Sequence, residues 1–202
     1  GCTPARGSAA LRDTVATGAA ARREVTVAHA RIVIMRGGKP TMFAAILRAG
    51  GQGRDILYPD PGFPIYRSMI EFTGARPVPI PIREENDFAF SAAETLSLMT
   101  PQTRLVILNS PANPTGGVTP RAEIDALVAG LADYPEAAIL SDEIYGRILY
   151  GGTEHVSLLT YPEIADRLIL LDGWSKTYAM TGWRLGYALW PESLIDPART
   201  FA

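Results

Sequence analysis

The chain has 202 residues, 47% of them hydrophobic, enough for one sizeable core or a little more. A formal charge of -2 and a pI near 5.7 leave no basic footprint for nucleic acid, and apolar runs such as 106–108 and 168–171 are far too short to cross a bilayer. The single cysteine, Cys2, excludes an internal disulfide and fits a reducing, cytoplasmic setting.

Residues 9–23 read as a helix, with Leu11 and Val15 four residues apart on one face, and 31–35 as a β-branched strand. Gly37 and Gly38 then open a helix running to about Ala49, with Pro40 tolerated in its first turn. A short strand over 55–58 is expected to stop at Pro59-Asp60-Pro61-Gly62, a strong turn signal. A helix over about 63–73 follows, then a proline-rich extended run over 76–81 and a polar, solvated loop over 83–87. Ser91 caps a helix over 91–99 with Glu94 at the capping-box position. Strands over 104–109, 137–140, 168–171 and 185–190, with a helix over 120–131, complete the pattern. Strands alternating with helices at this spacing imply an α/β fold with a largely parallel sheet, in which ligands gather beyond the carboxyl ends of the strands.

Four segments with unusual chemistry fall at those ends. Met35-Arg36-Gly37-Gly38-Lys39-Pro40 joins a strand to a helix, and reads either as a tight turn or as a backbone cradle for a phosphate. Asn109-Ser110-Pro111-Ala112-Asn113-Pro114-Thr115-Gly116-Gly117 reads either as turn chemistry alone or as a stiff loop able to aim an amide at a ligand. Asp142, in Ser141-Asp142-Glu143-Ile144-Tyr145, is either a solvated acid or a carboxylate pairing with a cationic ring nitrogen. A unit pair about 4 Å apart at an effective dielectric near 20 is worth about 4 kcal/mol, enough to keep a weakly basic heterocycle protonated. The phenol of Tyr145 is within reach of the same ligand. Lys176 follows the last apolar run, and Arg184 comes eight residues later. A lone lysine is ordinarily a surface charge, but Trp174, Tyr178, Met180 and Trp183 around it point to a sheltered amine. His29 and His155 have no metal-ligand partner at suitable spacing, and Ser110 and Ser141 lack the surroundings of a nucleophilic triad.

Taken in order, Asn113-Pro114-Thr115-Gly116, Asp142-Glu143-Ile144-Tyr145, Ser175-Lys176-Thr177 and Gly182-Trp183-Arg184-Leu185-Gly186-Tyr187 resemble the fold type I pyridoxal-phosphate enzymes, most closely the class I/II aminotransferases of the aspartate aminotransferase group. The resemblance covers nearly the whole chain. It implies a three-layer α/β/α sandwich with a mostly parallel mixed sheet, and makes 1–202 the cofactor-binding large domain. It implies that Lys176 forms a Schiff base with the cofactor aldehyde and then carries the substrate α-proton. Asp142 would keep the pyridine nitrogen protonated, Tyr145 and Asn113 would bond the ring 3-oxygen, and Phe63 would stack on the ring. Gly37, Gly38 and Lys39 would cradle the phosphate with Ser175 beside them and Arg184 adding a charge-assisted bond. The implied activity is a two-half transamination between an amino acid and a 2-oxo acid, in a homodimer, with no nucleic-acid or membrane partner.

Three departures qualify the resemblance. Gly173 stands where many relatives carry a phosphate-binding serine. Cys2 falls where relatives usually have a tyrosine reaching the partner subunit's cofactor. Family members are about twice as long, and the arginine gripping the substrate carboxylate lies in their C-terminal part, so this chain is expected to be a piece of a longer protein. Alternatives from the same resemblance are another reaction of this cofactor (C–S lysis, cyclopropane synthesis or decarboxylation), a ligand-sensing domain of a transcription regulator, and an inactive fragment.

Overall fold

The structure, a computed structural model, describes residues 4–195. Cys2 lies outside them. Seven strands form one sheet in the order β1-β7-β6-β5-β4-β2-β3: β1 is Ile32–Met35, β2 Asp55–Asp60, β3 Arg76–Pro81, β4 Thr103–Asn109, β5 Ala138–Asp142, β6 Leu168–Gly173 and β7 Gly186–Leu189. Only β7 runs antiparallel to its neighbours, β1 and β6. The mostly parallel, mixed sheet expected from the sequence is therefore present.

Among the described residues five α-helices cover the two faces: α1 (Ala9–Arg23), α2 (Lys39–Ala49), α3 (Ile65–Phe72), α4 (Ala92–Ser97) and α5 (Arg121–Gly130). Strand side chains alternate between faces, so each strand feeds two cores. Ile56, Leu105, Ile107, Leu140, Ile169 and Leu171 pack under α2 and α3 with Met42, Ile46, Tyr66 and Ile70. On the other face Leu57, Val106, Leu108 and Ile139 meet Ile124 and Leu127 of α5, while Ile32, Ile34, Leu170 and Leu189 meet Val15 and Ala16 of α1. The result is the three-layer sandwich.

Two expectations need correction. β2 does not stop at Tyr58 but runs through Pro59 to Asp60, paired with β3 throughout. The N–H that Pro59 lacks would face β4, where pairing has already ended at Leu57 and Val106. No ladder bond is lost there. The prolines of β3 follow the same rule. Arg76 and Ile82 donate to the carbonyls of Arg54 and Asp60 at 2.9 Å, so the alternate positions Pro77, Pro79 and Pro81 face outward and blunt the sheet edge. The second correction concerns 83–87, which is exposed as expected but holds a 3-10 turn at Glu84–Asn86.

Candidate active site

The carboxyl ends of β1, β4, β5 and β6 open on one cavity of about 220 Å³. Gly38, Lys39, Phe63, Asn113, Asp142, Tyr145, Ser175, Lys176 and Arg184 all line it, so residues far apart in sequence converge as expected. Gly37 sits immediately behind, at φ +83, where a side chain would be strained. A Cβ there would lie 2.4 Å from Arg184 Nη2, so the glycine is what lets the guanidinium cross this loop. Gly186 does the same from β7, since a Cβ on it would fall 2.9 Å from the Gly37 carbonyl carbon. Gly173 is also tightly placed, with an added Cβ 3.0 Å from Gly186 Cα and 3.3 Å from Ile144 Cδ1.

Strand alternation sends the adjacent acids Asp142 and Glu143 to opposite faces. Asp142 points toward α3 and the cavity, where the buried Tyr66 hydroxyl donates to its Oδ2 at 2.8 Å and the Ile144 N–H to its Oδ1 at 3.3 Å. Burial dominates, and raises its pKa from 3.8 to about 6 against the lowering effect of those two bonds. Glu143 points toward α1 and is held by Arg23 Nη2 at 2.8 Å, His155 Nε2 at 3.1 Å, the Ser157 hydroxyl at 2.8 Å and the Leu158 N–H at 3.1 Å. Burial alone would raise this acid too, but the charges of Arg23 and His155 and their hydrogen bonds bring it down to about 2. Arg23 also lies 3.4 Å from Asp172, which accepts the Tyr187 hydroxyl at 2.7 Å. One strand end thus carries an anion that is costly to keep and another that is fully compensated.

Asn109, the last residue of β4, ties these ends together. Its Nδ2 donates to the Asp142 carbonyl at 3.0 Å and its Oδ1 accepts the Asn113 N–H at 2.8 Å. The sequence placed Asn109 only within a loop able to aim an amide at a ligand, and gave Tyr66 and Arg23 no role. The signal available for Asn109 was a polar side chain ending an otherwise apolar strand.

Lys176 is exposed at the cavity mouth, with Nζ 5.5 Å from the Tyr145 ring centroid. The expected shelter is not supplied within this chain: Tyr178 is 52% and Trp183 73% exposed. The Tyr178 ring packs instead against Arg147, whose guanidinium lies 5.1 Å from its centroid and donates to its hydroxyl at 2.7 Å, and Trp183 ends the 3-10 turn Thr181–Trp183. Lys39 Nζ lies 5.9 Å from the Phe63 ring centroid. Arg184 adopts φ 53, uncommon for a non-glycine residue, and donates to the Thr181 carbonyl at 2.9 Å.

The remaining polar candidates have structural partners. His155 is mostly buried against Glu143, and His29 pairs with Asp13 at 3.0 Å on the surface. Ser110 accepts the Thr119 N–H and Ser141 donates to Glu143. Among the described residues no group of three or more His, Cys, Asp and Glu could hold a metal, and no helix is long and apolar enough to cross a membrane.

The profile of the family described as aminotransferase class I and II matches residues 1–202. The arginine–pyruvate transaminase AruH of Pseudomonas aeruginosa is 38% identical over 189 residues, which cover 94% of this chain and 48% of that protein. The aspartate aminotransferase of Bacillus subtilis is 30% identical over 204 residues, 99% of this chain and 51% of that one. Among solved structures, the aspartate aminotransferase of Rhizobium meliloti superposes with a TM-score of 0.93 at 29% identity, covering 98% of this chain and 50% of that chain. This chain spans about half the length of the relatives it matches. With the fold, the four sequence segments and the profile in agreement, the chain belongs to the aminotransferase class I and II family, whose fold is that of the type I pyridoxal-phosphate enzymes.

Proposed function

We propose that residues 1–202 are the cofactor-binding large domain of a pyridoxal-phosphate-dependent aminotransferase, moving an amino group between an amino acid and a 2-oxo acid. Class I and II aminotransferases use pyridoxal phosphate. The observation that carries the reading is one cavity holding both a buried carboxylate, Asp142, and a lysine amine, Lys176.

The residues present fit the group. Among the described residues, the Asp142 carboxylate accepts one hydroxyl and one backbone N–H, which leaves acceptor capacity for a ring N–H. Gly37 and Gly38 form a cradle that a Cβ at Gly37 would fill, with Arg184 and Lys39 beside it as cations for a phosphate. Phe63 offers an aromatic face. Pyridoxal phosphate, when bound, supplies an aldehyde that captures amines and a ring that takes up electron density as the α-proton leaves.

In this reading Asp142 holds the proton on the pyridine nitrogen, and Tyr145 and Asn113 orient the ring through its 3-oxygen. Gly37, Gly38, Lys39, Ser175 and Arg184 bind the phosphate. Lys176 Nζ holds the cofactor covalently at rest. Once displaced by the substrate amine, the same nitrogen would take the proton from the substrate α-carbon and deliver it to the cofactor carbon that carries the transferred nitrogen, and water would supply the oxygen of the 2-oxo acid released. The amino group is left with the protein in the first half and passed to a second 2-oxo acid in the other half, giving ping-pong kinetics. The exposed aromatic rings of Tyr178 and Trp183, on the segment that carries Lys176, support a second subunit covering this face.

The test is covalent. After incubation with pyridoxal phosphate and borohydride reduction, peptide mass analysis should find the pyridoxyl group on Lys176. Label confined to other lysines, or no label, would overturn the reading.

A further inference from the structure

Phe63 and Tyr66 enter α3 three residues apart, one lining the cavity and the other fully buried beneath it, with ring centroids 5.9 Å apart at 80°. The Tyr66 hydroxyl lies 2.8 Å from Asp142 Oδ2. Burial, together with the neighbouring Asp142 charge, pushes the phenol well above its ordinary pKa, so the hydroxyl stays protonated and donates. A buried phenol always needs a partner, and a backbone carbonyl would have served. Here the partner is the one acid that points into the cavity.

The surroundings of that acid work against its charge. Burial opposes it most, and Asp172 of β6 and Glu143, just beyond β5, add like charge. Lys39, Lys176 and Arg184 line the same cavity as cations, with Tyr145 and Asn113 beside them, and none of these makes a hydrogen bond to the carboxylate among the described residues. Asn109 donates to the Asp142 backbone carbonyl and not to its carboxylate, and so fixes the main chain there. Of the contacts to the carboxylate itself, the Tyr66 bond is the shorter, at 2.8 Å against 3.3 Å for the Ile144 N–H.

We propose that Tyr66 is a positioning residue: its hydroxyl holds the Asp142 carboxylate in one orientation and favours its ionised form, so that the cavity presents an anion to the ring nitrogen. The proposal rests on the cofactor reading above for its consequence, but the Tyr66–Asp142 coupling exists without cofactor and is measured without it.

The experiment follows the Asp142 carboxyl by ¹³C NMR against pH in the chain without cofactor, assigned by its loss in Asp142→Asn. Tyr66→Phe keeps the ring and removes the donor. It should raise the Asp142 midpoint by about one pH unit. 3-Fluorotyrosine at position 66, a stronger donor of nearly the same shape, should lower it and tests the point even if Tyr66→Phe folds poorly. Pyridoxal-phosphate affinity is then measured in a double-mutant cycle. Tyr66→Phe should weaken binding about ten-fold when Asp142 is present and leave it unchanged in the Asp142→Asn background, since the hydroxyl acts through the carboxylate charge. An unchanged midpoint in Tyr66→Phe, or an equal loss of affinity in both backgrounds, overturns the proposal and leaves Tyr66 as a core tyrosine. A midpoint that moves in a chain that does not bind pyridoxal phosphate supports the coupling and overturns the cofactor reading instead.

Discussion

Replacing Asp142 with asparagine should make the cofactor-free chain more stable at neutral pH, although it removes a proposed active-site group. Asp142 is 3% exposed, and its pKa is raised from 3.8 to about 6. The folded chain therefore binds this proton more tightly than the unfolded chain does. That contribution is fully present below pH 3.8 and is lost as the pH rises through about 6. At 1.36 kcal/mol per pH unit the loss comes to about 3 kcal/mol. Asparagine is nearly isosteric, stays neutral, and can still accept the Tyr66 hydroxyl. Burial of its own amide offsets part of the gain, so urea unfolding at pH 8 should show Asp142→Asn ahead by about 2 kcal/mol, with the advantage gone at pH 4. Pyridoxal phosphate at 100 times the wild-type Kd adds about 2.7 kcal/mol to the wild-type chain and less to the weaker-binding Asp142→Asn chain, so it should narrow or close the gap. An Asp142→Asn chain less stable than wild type at pH 8, or more stable by the same amount at every pH, would refute the claim that the carboxylate is held charged at a cost.

The opposite behaviour is expected on the other face. Arg23→Met leaves Glu143 and Asp172 buried without their shared cation, and should cost about 3–5 kcal/mol in urea unfolding at pH 7. Glu143 is depressed from 4.5 to about 2, so its stabilisation is present above pH 4.5 and is lost as the pH falls toward 2; acid unfolding monitored by circular dichroism should move to higher pH in Arg23→Met. Gly37→Ala places a Cβ at φ +83 and 2.4 Å from Arg184 Nη2. It should destabilise the chain by about 1–2 kcal/mol and weaken pyridoxal-phosphate binding about ten-fold in a fluorescence titration. Trp183→Glu, at a ring 73% exposed, should disrupt the homodimer proposed above, shifting sedimentation velocity toward monomer while far-UV circular dichroism keeps its folded spectrum.

The sheet and the cavity were legible because their signals are local. Apolar runs such as 106–108 and 168–171 end in polar or small residues where the strands end, and the alternation of strands and helices fixes which ends meet. What stayed hidden depends on which layer covers which face. Adjacent acids at a strand end must diverge, but only the packing of α1 and α3 decides that Glu143 finds Arg23 and Asp142 finds Tyr66. Tyr66 reads in sequence as one more apolar position of an amphipathic helix. Pro59 reads as a stop, yet its missing N–H falls where β4 no longer pairs. Aromatic residues around Lys176 read as shelter, but their density along the chain says nothing of direction, and Tyr178 and Trp183 point outward.

The central claim is that Lys176 and the cavity behind it bind pyridoxal phosphate for amino-group transfer. Visible absorption of the chain with pyridoxal phosphate, compared with Lys176→Ala and followed by addition of amino acids, addresses it directly. The expected result is a band that requires Lys176 and titrates with pH, and that in the full-length protein is converted to the aminated cofactor by an amino acid and restored by a 2-oxo acid. A band of equal strength in Lys176→Ala, or one that forms only at cofactor concentrations that label lysines at random, would contradict the claim.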